Sequence, residues 1–268
     1  MIVIITIFAF VFGTLLGSFS NVLIYRVPRK EEFVKTSSHC MTCGHKLKWF
    51  ELIPIISWIA LRGKCRSCKA PISPQYPIVE TANGLLWAVV FVALGAQPLT
   101  IFAQMTFTML IALSVIDART HEIPVGFNIF IGILGVIYTI LDTLGLAGLV
   151  GTAGYYVYFN QAALINHLIG LVCVFIPLYL IFVISKGTAI GGGDLKLMAA
   201  AGLLIGWKLI VLAALLGFVF GAVIHVIRMK FFNAGRELAM GPYLSAGIII
   251  STLFGSQIIN TYLSLLGF

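Results

Sequence analysis

Apolar stretches of about twenty residues recur almost from one end of this chain to the other, and a soluble fold has no interior large enough to bury them all. A hydrocarbon core roughly 30 Å thick takes about 20 apolar residues per crossing helix. Reading the apolar runs against the charged breaks predicts helices near 1–25, 77–96, 99–116, 125–147, 163–185, 195–206, 208–228 and 242–266. The fold class expected is therefore an all-α polytopic membrane protein of about eight transmembrane segments, with membrane lipids as its first partner. A content of 60% hydrophobic and 10% charged residues agrees with that reading.

The first charged side chain is Arg26, so the opening run lacks the basic start and small-residue cleavage site of a secretory signal. It reads as a permanent anchor. A formal charge of +8 invites a nucleic-acid reading, but ten of the seventeen Lys and Arg lie between Arg26 and Lys69, in one loop beside a membrane. Positive-inside orientation accounts for them, and no nucleic-acid partner is expected. With that loop in the cytoplasm, alternation puts 117–124, 186–194 and 228–240 on the same side, and leaves Lys208 alone outside. An N-out, C-out topology follows. The uncharged, Tyr-containing loop 148–162 then falls at the outer interface, where Tyr rings settle.

The segment 195–206 is the weak one, because twelve residues rise only about 18 Å. It is expected as a half-helix or re-entrant segment. Gly191-Gly192-Gly193 just before it permits a sharp bend, and irregular backbone at membrane depth needs protein or water around it. A wet cavity near Asp194 is expected.

Cys40-Met-Thr-Cys43 and Cys65-Arg-Ser-Cys68 form two CxxC pairs separated by 21 residues. Each pair presents two sulfurs from one tight turn, and two pairs close the tetrahedron of a four-thiolate zinc site. Two disulfides or a redox pair are the alternatives, disfavoured for a basic loop in a reducing compartment. So small a loop needs the metal for much of its stability. Cys173, mid-helix, reads as a small core residue.

The chain has only three aspartates, Asp117, Asp142 and Asp194. Asp117 and Asp194 fall at helix ends on the same predicted side. Carboxylates at the hydrocarbon boundary are costly and point to function. Taken singly, each is as readily a helix-end charge, with Asp194 at the N-cap or first position of the next helix. As a pair they share a proton, so that one acts as base on water and the other as acid on a peptide carbonyl. Asp142 is expected only to end its helix. Lys196 should point away from Asp194 as an interfacial anchor. His121 and Glu122 read as solvated, and His167 and His225 as satisfied helix histidines. Glu51 and Glu80, rare acids in a basic region, suit surface pairing with Lys and Arg better than a site role.

Four stretches together resemble the prepilin peptidase family, also called type IV leader peptidases, over nearly the whole chain. They are Gly17-Ser-Phe-Ser-Asn-Val-Leu-Ile-Tyr-Arg-Val-Pro28; the run from Cys40 to Glu80 with Pro54-Ile-Ile-Ser-Trp58, Gly63-Lys-Cys65 and Pro71-Ile-Ser73; Ile116-Asp117 with Ile123-Pro124; and Gly191-Gly-Gly-Asp194-Leu-Lys196, which fits the GxGD signature of intramembrane aspartyl proteases. Gly241-Pro-Tyr-Leu244 resembles a further family segment. Val125 stands where family members often carry an aspartate.

The resemblance implies catalytic aspartates at Asp117 and Asp194, and zinc on Cys40, Cys43, Cys65 and Cys68. It implies cleavage of leaders from type IV prepilins or pseudopilins at the cytoplasmic face of a bacterial inner membrane, then N-methylation of the new terminus with S-adenosylmethionine. A donor site is expected only as a region, around Gly63 and the cysteines, since no Rossmann-type glycine loop is present. The implied organisation is a first transmembrane helix at 1–25, a cytoplasmic zinc module at 26–76 and a transmembrane aspartyl protease domain at 77–268. Three rival readings are a protease-only enzyme with a structural zinc module, an ion-coupled transporter built on the aspartate pair, and a pilus-assembly scaffold.

Overall fold

The computed structural model describes residues 2–32, 36–146, 160–232 and 238–267. The expected outer loop at 148–162 thus falls largely outside the described residues, as does part of the loop at 228–240. Among the described residues the chain is helical and without strands, apart from two isolated bridges, His39 with Lys46 and Lys64 with Pro71. Seven helical stretches among the described residues are long and apolar enough to cross a membrane, which makes this a multi-pass membrane protein. The chain divides into two compact units, Met1–Ala93 and Leu94–Phe268.

The first unit holds α1 (Ile2–Arg26), a 3-10 turn at Trp49–Glu51, the short α2 (Ile56–Ala60) and α3 (Gln75–Leu94). Two polar-small faces let α1 and α3 approach closely. A Cβ on Gly13 would come within 2.8 Å of Gly84 Cα and of the Trp87 side chain. Without a hydrophobic drive between helices in lipid, such close backbone contact and buried amides supply the attraction. Buried Asn83 donates from Nδ2 to the Gly13 carbonyl at 2.7 Å, and Asn21 donates to the Tyr76 carbonyl at 3.2 Å while its Oδ1 accepts from Gln75. The other face of α1 is apolar and exposed, as lipid requires; Ile4, Phe8 and Phe12 lie there.

The second unit holds α4 (Pro98–Thr120), α5 (Val125–Thr143), α6 (Gln161–Cys173), α7 (Phe175–Ile184), α8 (Gly192–Ile205), α9 (Trp207–Phe232) and α10 (Gly241–Leu265). The single helix expected at 163–185 is broken at Val174. Pro177 supplies the reason: it lacks an N–H and its ring crowds the carbonyl of Cys173 four residues back. The weak eighth segment is α8, fourteen residues long and so about 21 Å. Nine of its residues are buried, because α5, α6 and α9 surround it. Gly170 and Gly202 bring the α6 and α8 backbones into direct contact, and Thr139 on α5 donates to the Leu203 carbonyl at 3.1 Å. A helix enclosed by protein has no need of the length that spans lipid.

Candidate functional site

The last turn of α4 continues beyond the expected end at residue 116, so Asp117 sits inside the helix and is buried, 4% exposed. His121 closes that turn in the left-handed region at φ 53°, donating its N–H to the Asp117 carbonyl at 2.8 Å. Thr120 donates its hydroxyl to the Ile116 carbonyl and reaches that of Glu122. The Asp117 carboxylate is fixed from far along the chain: Gly241 N–H, at the start of α10, donates to Oδ2 at 2.7 Å. A Cβ at Gly241 would meet that same oxygen at 2.7 Å, so only glycine brings the α10 terminus this close.

Asp194 is the third residue of α8, with Gly191 as N-cap, two places deeper than the first-position reading expects. Its side chain turns back over Gly191, whose N–H favours the carboxylate, as an acid at the third helical position does in a capping box. Burial, and next the charge of Asp117, push the Asp194 carboxyl up to about 6. The two aspartates, 77 residues apart in sequence, are therefore electrostatic neighbours. Ile123 packs against Gly193, where a Cβ would come within 2.8 Å, and Asn128 on α5 donates from Nδ2 to the Gly193 carbonyl at 3.1 Å. Lys196 is exposed, as are His121 and Glu122. Val125 begins α5 with its side chain half exposed.

In the first unit, the sulfurs of Cys40, Cys43, Cys65 and Cys68 all lie within 4.8 Å of one another, and Cys40 Sγ is 3.8 Å from Cys68 Sγ. A tetrahedral zinc holding sulfurs at about 2.3 Å spaces them about 3.8 Å apart. Two matched turns carry the pairs. Gly44 N–H returns to the Cys40 carbonyl and Lys69 N–H to that of Cys65, with Gly44 and Lys69 both left-handed. Backbone N–H groups of Cys43 and Thr42 lower the Cys40 thiol to about 6, favouring the thiolate a metal needs.

Both acids expected on the surface are instead buried. Glu51 is 8% exposed, with Oε2 accepting from Lys48 N–H at 2.8 Å and lying 3.4 Å from His45 Nε2. Glu80 is 5% exposed and accepts from Ile55 N–H at 2.7 Å, holding Ile55 at φ 63°. Asp142 does more than end its helix: Oδ2 is 3.0 Å from Nε2 of buried His167, whose Nδ1 is buried without a partner, so the histidine expected to be satisfied is satisfied at one ring nitrogen only.

Residues 104–226 match the Type IV leader peptidase family, and residues 11–94 match the Bacterial Peptidase A24 N-terminal domain. A prepilin leader peptidase/N-methyltransferase of Stutzerimonas stutzeri is 32% identical, with 95% of this chain and 92% of the relative aligned. One of that name from Pseudomonas aeruginosa is 33% identical over 96% of this chain and 92% of its own length. The chain belongs to the type IV leader peptidase family. A Pseudomonas putida relative with the same name is 30% identical over 97% of the chain and 94% of its own length. No solved structure matches.

Within this leader peptidase, sequence reasoning misses Asn128, the Gly241 N–H and the burial of both glutamates. Gly241-Pro-Tyr-Leu244 carried a signal only as a segment resembling the family's, with nothing in it to say that its first N–H would meet Asp117. Asn128 carried none, being one polar residue in an apolar helix.

Proposed function

We propose that this membrane protein removes leader peptides from type IV prepilins or pseudopilins at the cytoplasmic face of the bacterial inner membrane, and then methylates the new terminal amine. The observation that carries the proteolytic half is that one helical unit brings the two aspartates together: Ile123, six residues beyond Asp117, packs against Gly193, the neighbour of Asp194, while Gly241 N–H holds the Asp117 carboxylate. Asp194 holds the proton at rest and gives it to the scissile carbonyl oxygen. Asp117, oriented by Gly241 N–H, takes a proton from the attacking water. Asp117 then passes its proton to the leaving nitrogen as the C–N bond breaks, and Asp194 recovers a proton from a hydroxyl of the collapsing diol, giving the amine and the carboxylic acid and restoring both aspartates. The concentration of Lys and Arg at 26–69 supports the cytoplasmic placement.

For the methylating half, Cys40, Cys43, Cys65 and Cys68 fit zinc by count and spacing. Zinc held by these four sulfurs would cross-link two loops that have little core of their own. The methyl donor is S-adenosylmethionine, which supplies an electrophilic methyl group on a sulfonium. The neutral terminal amine attacks the methyl carbon, the C–S electron pair stays on sulfur, and the amine releases one proton. The cysteines lie in the segment 26–76, to which this half is assigned, and the aspartates in 77–268.

This reading is tested by incubating the detergent-purified protein with a pilin precursor across a pH series. Because the Asp194 carboxyl sits near 6 and must carry a proton to act as the acid, cleavage should decline on the alkaline side from about 6, approaching tenfold per pH unit. A rate flat from pH 6 to 8 would remove Asp194 from the acid role. Asn128→Ala should lower kcat roughly ten- to a hundredfold with KM little changed, because the Gly193 carbonyl that seats Asp194 loses its donor. A rise in KM alone would assign Asn128 to substrate binding.

A further inference from the structure

A cavity of about 320 Å³ lies in the first unit, where the cysteine turns face the end of α1 and the start of α3. That volume is within the range of small-molecule sites. Its wall carries Asn21, Tyr25, Glu51, Trp58, Tyr76 and Glu80, so the two glutamates that belong to no part of the proteolytic site both face it. Glu80 is committed to the Ile55 N–H. Glu51 is committed only in part: Oε2 is held by Lys48 N–H, while Oε1 is buried and has no hydrogen-bond partner. The Glu51 side chain is 2% exposed. A carboxylate oxygen so placed is costly unless a ligand donates to it.

The remaining wall is aromatic, and Arg29 stands exposed at the rim. Tyr25 and Tyr76 stack with centroids 5.5 Å apart and planes 12° apart, and Trp58 is fixed by donating its indole N–H to the Ile72 carbonyl. Gly63 takes part indirectly. It is left-handed at φ 65°, and a Cβ there would come within 2.9 Å of the Trp58 ring, so glycine leaves Trp58 its place. Flat rings suit a purine face or a sulfonium cation. A buried carboxylate suits an ammonium or a ribose diol, and an arginine at the mouth suits a carboxylate.

Resting on the methyl-transfer reading above, we propose that this cavity is the site of the methyl donor, an adenosyl sulfonium amino acid, and that Glu51 Oε1 accepts a hydrogen bond from its polar hydrogens. Glu80 is a positioning residue that holds the Pro54-Ile-Ile-Ser-Trp58 segment as one wall.

The test is equilibrium dialysis of radiolabelled S-adenosylmethionine against the full-length, zinc-loaded protein, with zinc content and leader cleavage followed in every variant. Glu51→Gln keeps the shape and removes the charge, and should weaken donor binding about tenfold or more while zinc content and cleavage stay at wild-type values. Ser57→Phe, which narrows the cavity from another wall, should do the same. The second variant decides the matter if the first loses zinc. Wild-type binding by both variants would overturn the site while leaving methyl transfer standing; absence of donor binding by the wild type would overturn both.

Discussion

Asp117→Asn and Asp194→Asn are each expected to slow leader cleavage by about 10³–10⁴-fold, with the helical unit intact by thermal unfolding in detergent. Each removes half of a proton-sharing pair, and the remaining half has neither a partner to exchange with nor a second role. The double variant should therefore be no slower than either single one, since groups that act as a unit lose their contribution together. The Asn replacements keep the volume and can still accept from Gly241 N–H or Gly191 N–H, so a lost reaction cannot be blamed on the seat of either side chain. Cleavage retained in either variant would remove the paired-carboxylate mechanism and favour the transporter reading, which predicts aspartate-dependent ion flux instead.

The second large effect falls on the cysteine turns. Cys40→Ser or Cys65→Ser should release most of the zinc, measured as metal per protein after dialysis, and unfold the loop between α1 and α3. A structural zinc in small domains contributes on the order of 10 kcal/mol or more to folding, far beyond what two short turns and α2 can replace. Cys65 is buried, so its replacement also leaves a hydroxyl in an apolar setting. The expected pattern is loss of donor binding and methyl transfer with much smaller loss of cleavage. Equal loss of both would mean that the zinc turns also support proteolysis. Full zinc retention in both variants would contradict the four-thiolate site.

Most of the helical architecture was legible because lipid imposes length and composition directly on the sequence. The cysteine cluster was legible for a similar reason, in that two CxxC turns are local and their spacing is a chemical signature. The unread features are those set by contacts between residues far apart in the chain. Asp117 looked like a helix-end charge, yet it is buried by a hydrogen bond from a residue 124 positions away. Glu51 and Glu80 looked like surface acids in a basic loop, yet both are buried, Glu51 accepting from Lys48 N–H and Glu80 from Ile55 N–H. The break at Val174 was missed by a reading of one helix at 163–185, although Pro177 carried the signal for it. The shortness of α8 was readable as a length, and its cause, enclosure by α5, α6 and α9, was not.

The measurement that bears most directly on the central claim is the intact mass of a pilin precursor after incubation with the purified protein and S-adenosylmethionine, compared among wild type, Asp117→Asn and Asp194→Asn. The account predicts loss of the leader plus gain of one methyl group with wild type, and an unchanged precursor with both variants. A precursor left whole by wild-type protein, or cut equally by the variants, would contradict it.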